Sequence, residues 1–180
     1  MKDSLPCLWL PLEEKNAILP SAAIAEIIPF EKPTEIPDVP AWFLGVSNWR
    51  GIHIPLTCLE KMESHLIWDT KEKNNKKEEA ENPFSYIAVI NRIYKVPIEE
   101  TKDGIKKYPF FAIALEKVAK LQRLAPDNMK LVAKLPDEDP RFLMQVKILN
   151  DFAYIPNLQK CWAVIDALPS RLQWFRQIVL

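Results

Sequence analysis

The sequence predicts a mostly β fold, and three observations carry that prediction. Sixteen prolines against three glycines punctuate the chain, and proline ends strands and confines helices to short pieces. Between the prolines lie apolar runs of strand length rather than long stretches of helical period. One of them, 143–149, alternates cleanly, with Met144, Val146 and Ile148 on one face and Gln145 and Lys147 on the other.

The elements follow in order. Strand-like runs fall at 7–10, 16–19 and 23–28, the third leaving the core at Pro29. Pro37 and Pro40 keep the next segment extended. Pro40 at a first helical position and Gly45 just past the end fit one short helical turn over 40–45. Strands are expected at 46–49 and 52–56, with a helix-like piece at 59–62. In the second half, 84–90 and 109–115 are strongly apolar and flank a polar excursion at 99–107. The alternating run 143–149 turns at Asn150-Asp151 and returns as a partner strand over 152–155. Leu158, Cys161, Trp162 and Ile165 then follow helical spacing. Leu172, Phe175 and Val179 form one stripe of a last helix over 170–180. For both stripes, core packing is the expected role.

Residues 69–82 interrupt this pattern. Nine of the fourteen are charged and only Ala80 is apolar, so the segment cannot contribute to a core and reads as a charged, solvated loop. It divides the chain. Ile54-Pro55-Leu56 before it and Ile155-Pro156 far beyond both end a strand at proline and pass into an apolar helix. The expected organisation is therefore one domain over 1–180 holding two similar β-units, at about 16–83 and 84–155, with the terminal segments completing the fold.

Composition restricts the function classes. Apolar residues make up 48% of the 180, enough for a core. Lysine plus arginine (24) balances aspartate plus glutamate (24), whereas a protein that works on nucleic-acid phosphates or anionic lipid shows a basic excess. A β-barrel nucleic-acid binder is the alternative kept open, and it needs a basic groove with exposed aromatics. Cys7, Cys58 and Cys161 are odd in number, far apart and set among apolar neighbours. They read as buried reduced thiols, which suits a cytoplasmic protein. No secretory signal is expected in the opening residues, broken by Pro6 and closed by Pro11, Glu13 and Glu14. No apolar run approaches the ~20 residues that span a bilayer, so no membrane insertion is expected.

A search for chemistry returns little. His53 and His65 bracket Cys58 at a spacing that matches no familiar zinc arrangement. The three glycines, Gly45, Gly51 and Gly104, form no phosphate cradle. No serine or cysteine sits in a nucleophile motif. The acidic clusters, Glu13-Glu14, Glu99-Glu100 and Asp137-Glu138-Asp139, read as solvated charge. The motif search therefore points to no catalytic residue, metal or cofactor, although residues distant in sequence can still converge in the fold.

The informative stretch runs from Glu26 to Leu59. If 46–50 is extended, Trp49 and Arg50 point to opposite faces, Trp49 inward and Arg50 at the strand end. Gly51 supplies the backbone angles for a turn there. An arginine on a rigid turn can fork onto a partner's carboxylate or carbonyl groups, or it can close an internal salt bridge, with Glu26 as the candidate acid. Both readings stay open on pattern alone.

These residues also carry a resemblance. A strand 24–28 with Glu26 before two apolar residues leads to a proline-rich loop at 36–40 and to Trp42. There follow Gly45-Val46, Asn48, Arg50-Gly51 and an apolar strand closing on Ile54-Pro55. In this order and spacing the segment resembles the CheW-like chemotaxis coupling proteins. The resemblance covers about 7–60 well and 84–165 loosely; the stretch 111–118 lacks the family's usual glycine and aspartate. The charged insert at 69–82 and the excursion at 99–107 make the chain similar to the divergent branch of type IV pilus (twitching) chemosensory systems. The resemblance implies two intertwined five-stranded SH3-like β-barrels with short helices. It implies no enzymatic activity, and partners in the regulatory domain of a CheA-type histidine kinase, the cytoplasmic tip of a methyl-accepting chemoreceptor and other CheW-like proteins. It places the partner-binding region at Arg50, Glu26, Asn48, Gly45 and Gly51.

Overall fold

A computed structural model describes residues 4–37, 39–62, 82–92, 109–137 and 139–168. The expected loop 69–82, apart from Asn82, the excursion 99–107, His65 and the last helix 170–180 lie outside these residues. The described chain is built from strands β1 (Leu5–Pro11), β2 (Asn16–Pro20), β3 (Ile24–Pro29), β4 (Phe43–Trp49), β5 (Ile52–Thr57), β6 (Tyr86–Asn91), β7 (Phe110–Leu115), β8 (Lys120–Leu124), β9 (Met129–Lys134), β10 (Phe142–Ile148) and β11 (Asp151–Pro156), followed by helix α1 (Leu158–Asp166). Short 3₁₀ turns follow β2, β5 and β8.

The strands form two sheets. One has the order β8-β1-β2-β11-β10-β9 and the other β3-β6-β7-β5-β4. Neighbours are antiparallel except β2 with β11 and β5 with β7. Those two parallel pairs join strands far apart in sequence, so the sheets do not divide the chain at 83/84. β2 sits among the late strands, and β6 and β7 sit among the early ones.

Burial explains why β6 and β7 must be central. Both read as nearly unbroken apolar runs, the pattern of strands covered on both faces. Ile87, Val89, Ala112 and Ala114 face a cluster with Trp49, Ile54, Leu56, Cys58 and Phe84. Ala88, Ile90, Phe111, Ile113 and Leu115 face the opposite way, into the largest cluster. There they meet Leu10, Leu12, Ala17 and Leu19 of the other sheet and Trp162 and Ile165 of α1. A third cluster, Cys7, Ile18, Leu124, Val146, Ile148 and Ala153, fills the six-stranded unit. Each sheet thus has its own interior, and the two share a seam.

Local chemistry secures the seam. The β1–β2 hairpin closes with Leu12 N–H donating to the Lys15 carbonyl at 2.8 Å. Its next two amides, Glu13 and Glu14, donate to the Glu60 carboxylate at 2.8 and 3.2 Å, so the turn after β5 holds the tip of the other sheet's hairpin. Asn157 caps α1, its Oδ1 accepting from Lys160 N–H at 3.2 Å. The helical stripe is core as expected: Leu158, Cys161, Trp162 and Ile165 are all buried.

Two local expectations are corrected. The turn expected over 40–45 is a single one, closed by Phe43 N–H on the Pro40 carbonyl at 3.0 Å, and it does not reach Gly45: β4 starts at Phe43, and the Trp42 carbonyl accepts from Cys58 N–H at 2.7 Å instead of from a further helical amide. The β10–β11 turn is Leu149–Asn150 rather than Asn150-Asp151. Ile148 pairs with Asp151, and Leu149 takes the positive φ of 56°. β8 and β9 were not expected as strands. Nearly every residue of β9 is exposed, so no apolar alternation marks it.

The three thiols are buried and unpaired with one another. Burial pushes Cys58 up to about 11 and Cys161 to about 12. Thiolate is the reactive species, so both should resist a thiol reagent at neutral pH in the native protein and react promptly after denaturation. Fast native labelling of Cys161 would show that α1 opens without global unfolding.

Candidate partner-binding site at the β4–β5 turn

The site begins with a two-residue turn. Trp49 pairs with Ile52 across the hairpin, leaving Arg50 and Gly51 as its centre with φ of 51° and 77°. Positive φ at both central residues matches the right-handed twist of the flanking strands. Gly51 takes this conformation freely, whereas Arg50 occupies it against its intrinsic preference. Asn48 helps to hold the turn: its Oδ1 accepts from Gly51 N–H at 3.1 Å.

The strand therefore ends at Trp49, and Arg50 belongs to the turn. The expectation that the two side chains stand on opposite faces is not met. Arg50 bends back beside Trp49, its guanidinium carbon 5.3 Å from the ring centroid. Trp49 itself is buried as expected, packed edge-on against Phe110 at 4.8 Å between centroids.

Glu26 completes the arrangement from β3. A register shift between Ile24 and Glu26 interrupts the β3–β6 pairing just before it, the kind of irregularity that re-aims a side chain. Three donors converge on its Oε2: the Trp49 indole N–H at 2.8 Å, Arg50 Nε at 3.1 Å and Arg50 Nη2 at 3.1 Å. Of the two open readings of Arg50, the internal ion pair is present. β3 and β4 are opposite ends of the five-stranded order, so this clasp ties the sheet's two edges and curls it towards a barrel.

The clasp sits at the surface. The side chains of Arg50 and Glu26 are 69% and 35% exposed, so the guanidinium remains open to a partner while bonded to Glu26. The Trp49 hydrogen bond foremost, and the Arg50 hydrogen bonds after it, hold the Glu26 carboxyl below its usual range. A depressed carboxylate contributes stability above its unfolded pKa and loses it as pH falls through the lower folded value. The clasp is therefore intact at neutral pH and opens only in acid.

The five residues proposed from sequence separate into two groups. Glu26, Asn48, Arg50 and Gly51 come together at the turn. Gly45 does not: it is buried within β4, with φ of 137°, and a Cβ there would lie 2.4 Å from the Thr34 carbonyl oxygen. Its role is to admit the 33–34 segment, which bridges to Val46. The sequence reading missed the Trp49 N–H. A signal for it existed, because a buried indole N–H needs an acceptor and Glu26 was already the acid in view. Among the described residues no cluster of histidine, cysteine, aspartate or glutamate could hold a metal. His53, opposite Asn48, is exposed.

Comparison with known proteins bears on the fold. The CheW-like domain model matches residues 6–66, a span that contains the whole clasp. The structure superposes on the scaffolding protein TtCheW from Thermoanaerobacter tengcongensis with a TM-score of 0.57 and 15% identity, covering 86% of this chain and 90% of that one. The fold is CheW-like. No curated protein matches the chain. The CheW-like architecture accounts for the two sheets with separate interiors, consistent with two SH3-like barrels. No described helix is long and apolar enough to cross a membrane.

Proposed function

We propose that this CheW-like chain is a non-catalytic, cytoplasmic adaptor that couples chemoreceptors to a CheA-type histidine kinase. The charged insert and the departures in the second half support a place in a type IV pilus (twitching) system. The observation that carries the reading is the exposed Arg50 guanidinium, held at a fixed angle by Glu26 within the matched domain. A planar fork fixed on a rigid turn loses little freedom when it engages a partner's carboxylate or carbonyl. Asn48 and Gly51 shape the turn, and Glu26 orients the arginine. Gly45 acts through the fold and is not a contact.

The test is a titration of purified protein against the kinase regulatory domain and against a receptor tip peptide. Arg50→Ala should weaken binding to at least one partner about tenfold or more, and Arg50→Glu should weaken it further by setting two acids together. Both variants should melt near the wild type, because exposed ion pairs contribute little to stability. A stable Arg50→Ala protein that binds both partners normally would remove the turn from the interface.

A further inference from the structure

We infer that Trp49 is the positioning residue of this site: its indole N–H pins Glu26, and the pinned carboxylate and the ring edge together fix the direction of Arg50. The geometry requires a third member. Arg50 is joined to its turn by a long, flexible side chain, and Glu26 is itself partly exposed, so an ion pair between them alone would sample many arrangements. Trp49 is the buried, rigid element of the three. Its ring is locked by Phe110, and its N–H makes the shortest of the three bonds to Oε2.

The same bond shapes what Arg50 can offer. The oxygen that receives Nε and Nη2 also accepts from this neutral donor, so Glu26 is held in place by a bond that brings no second positive charge against Arg50. The guanidinium is thereby oriented and still attractive to a partner acceptor. The hydrophobic interior around Trp49, Ile54 and Phe84 is in this way linked through one hydrogen bond to a surface charge.

This inference rests on the adaptor reading only for its binding consequence, and the experiment separates the two. Nuclear magnetic resonance of the free wild-type protein should show the Trp49 indole N–H shifting as the Glu26 carboxyl titrates, with Glu26→Ala identifying the resonance. In Trp49→Phe, which keeps the aromatic packing and deletes the N–H, Glu26 should titrate at higher pH and the Arg50 Nε–H should exchange faster with water. Binding to the kinase domain or receptor tip should fall about fivefold, the loss of one charge-assisted bond. In a Glu26→Ala background, Trp49→Phe should cause no further loss of binding. An indole resonance indifferent to Glu26 overturns the inference, and this wild-type measurement decides the matter even if Trp49→Phe fails to fold. So does a folded Trp49→Phe whose Glu26 and Arg50 behave as in the wild type. If the free-protein results hold but neither Trp49→Phe nor Arg50→Ala alters binding, the positioning role stands and the adaptor reading of the turn fails.

Discussion

Phe111→Ala is expected to cost the protein ~3–5 kcal/mol of stability, the range for truncating a fully buried phenylalanine. Phe111 has no exposed surface and sits on the seam face of β7. Its ring meets Trp162 of α1 edge-on, with centroids 4.7 Å apart. The cavity would therefore open between the two sheets, where strands β6 and β7 on one side cannot close onto β1 and β2 without disturbing both hairpins. A loss of that size lowers the melting temperature of a domain this large by roughly 10 °C. Phe111→Leu leaves a smaller void and should cost about 1–2 kcal/mol. The measurement is a urea midpoint for each variant at constant slope. Equal, small losses for both would show that the sheets are held together mainly by polar contacts such as Glu60 with the Glu13 and Glu14 amides.

How much of this was legible beforehand depended on burial. β6 and β7 were visible because both faces are covered, which leaves an unbroken apolar run. β10 was visible because one face is covered, which leaves alternation. β8 and β9 were invisible for the complementary reason: Leu121, Leu131 and Val132 are all exposed, so polar and apolar residues mix without period. Which sheet each strand joins was not legible either, since the parallel pairings of β2 with β11 and β5 with β7 depend on contacts between distant runs. At the site, the motif located Glu26, Asn48, Arg50 and Gly51, but the state of Arg50 turned on its backbone: the strand ends at Trp49 as the pattern implied, and Arg50 takes a positive φ of 51° instead of extending it. Once Arg50 enters the turn, its side chain folds back towards Glu26 and the ion pair follows.

The second large effect is expected at Gly45. Its φ of 137° lies where side-chain-bearing residues are strained, and an added Cβ would meet the Thr34 backbone oxygen at 2.4 Å. That oxygen accepts from Val46 N–H at 3.0 Å, and Thr34 N–H donates back to Val46 at 2.8 Å. Relieving the clash would break one or both bonds. The obstacle is backbone, so no side chain can swing aside. Gly45→Ala should therefore cost roughly 3 kcal/mol or more, the strain and the lost bridge combined. Gly51→Ala is the matched control. Its φ of 77° is also positive, but nothing lies within 4 Å of the new Cβ, so only the backbone preference opposes it, about 1–2 kcal/mol. The ratio between the two is the informative quantity. If Gly45→Ala loses no more stability than Gly51→Ala, the 33–34 segment yields without consequence, and Gly45 returns as a candidate for the binding surface. If Gly45→Ala is the more damaging and partner binding falls only in step with the folded fraction, Gly45 belongs to the scaffold that presents Arg50 and not to the contact itself.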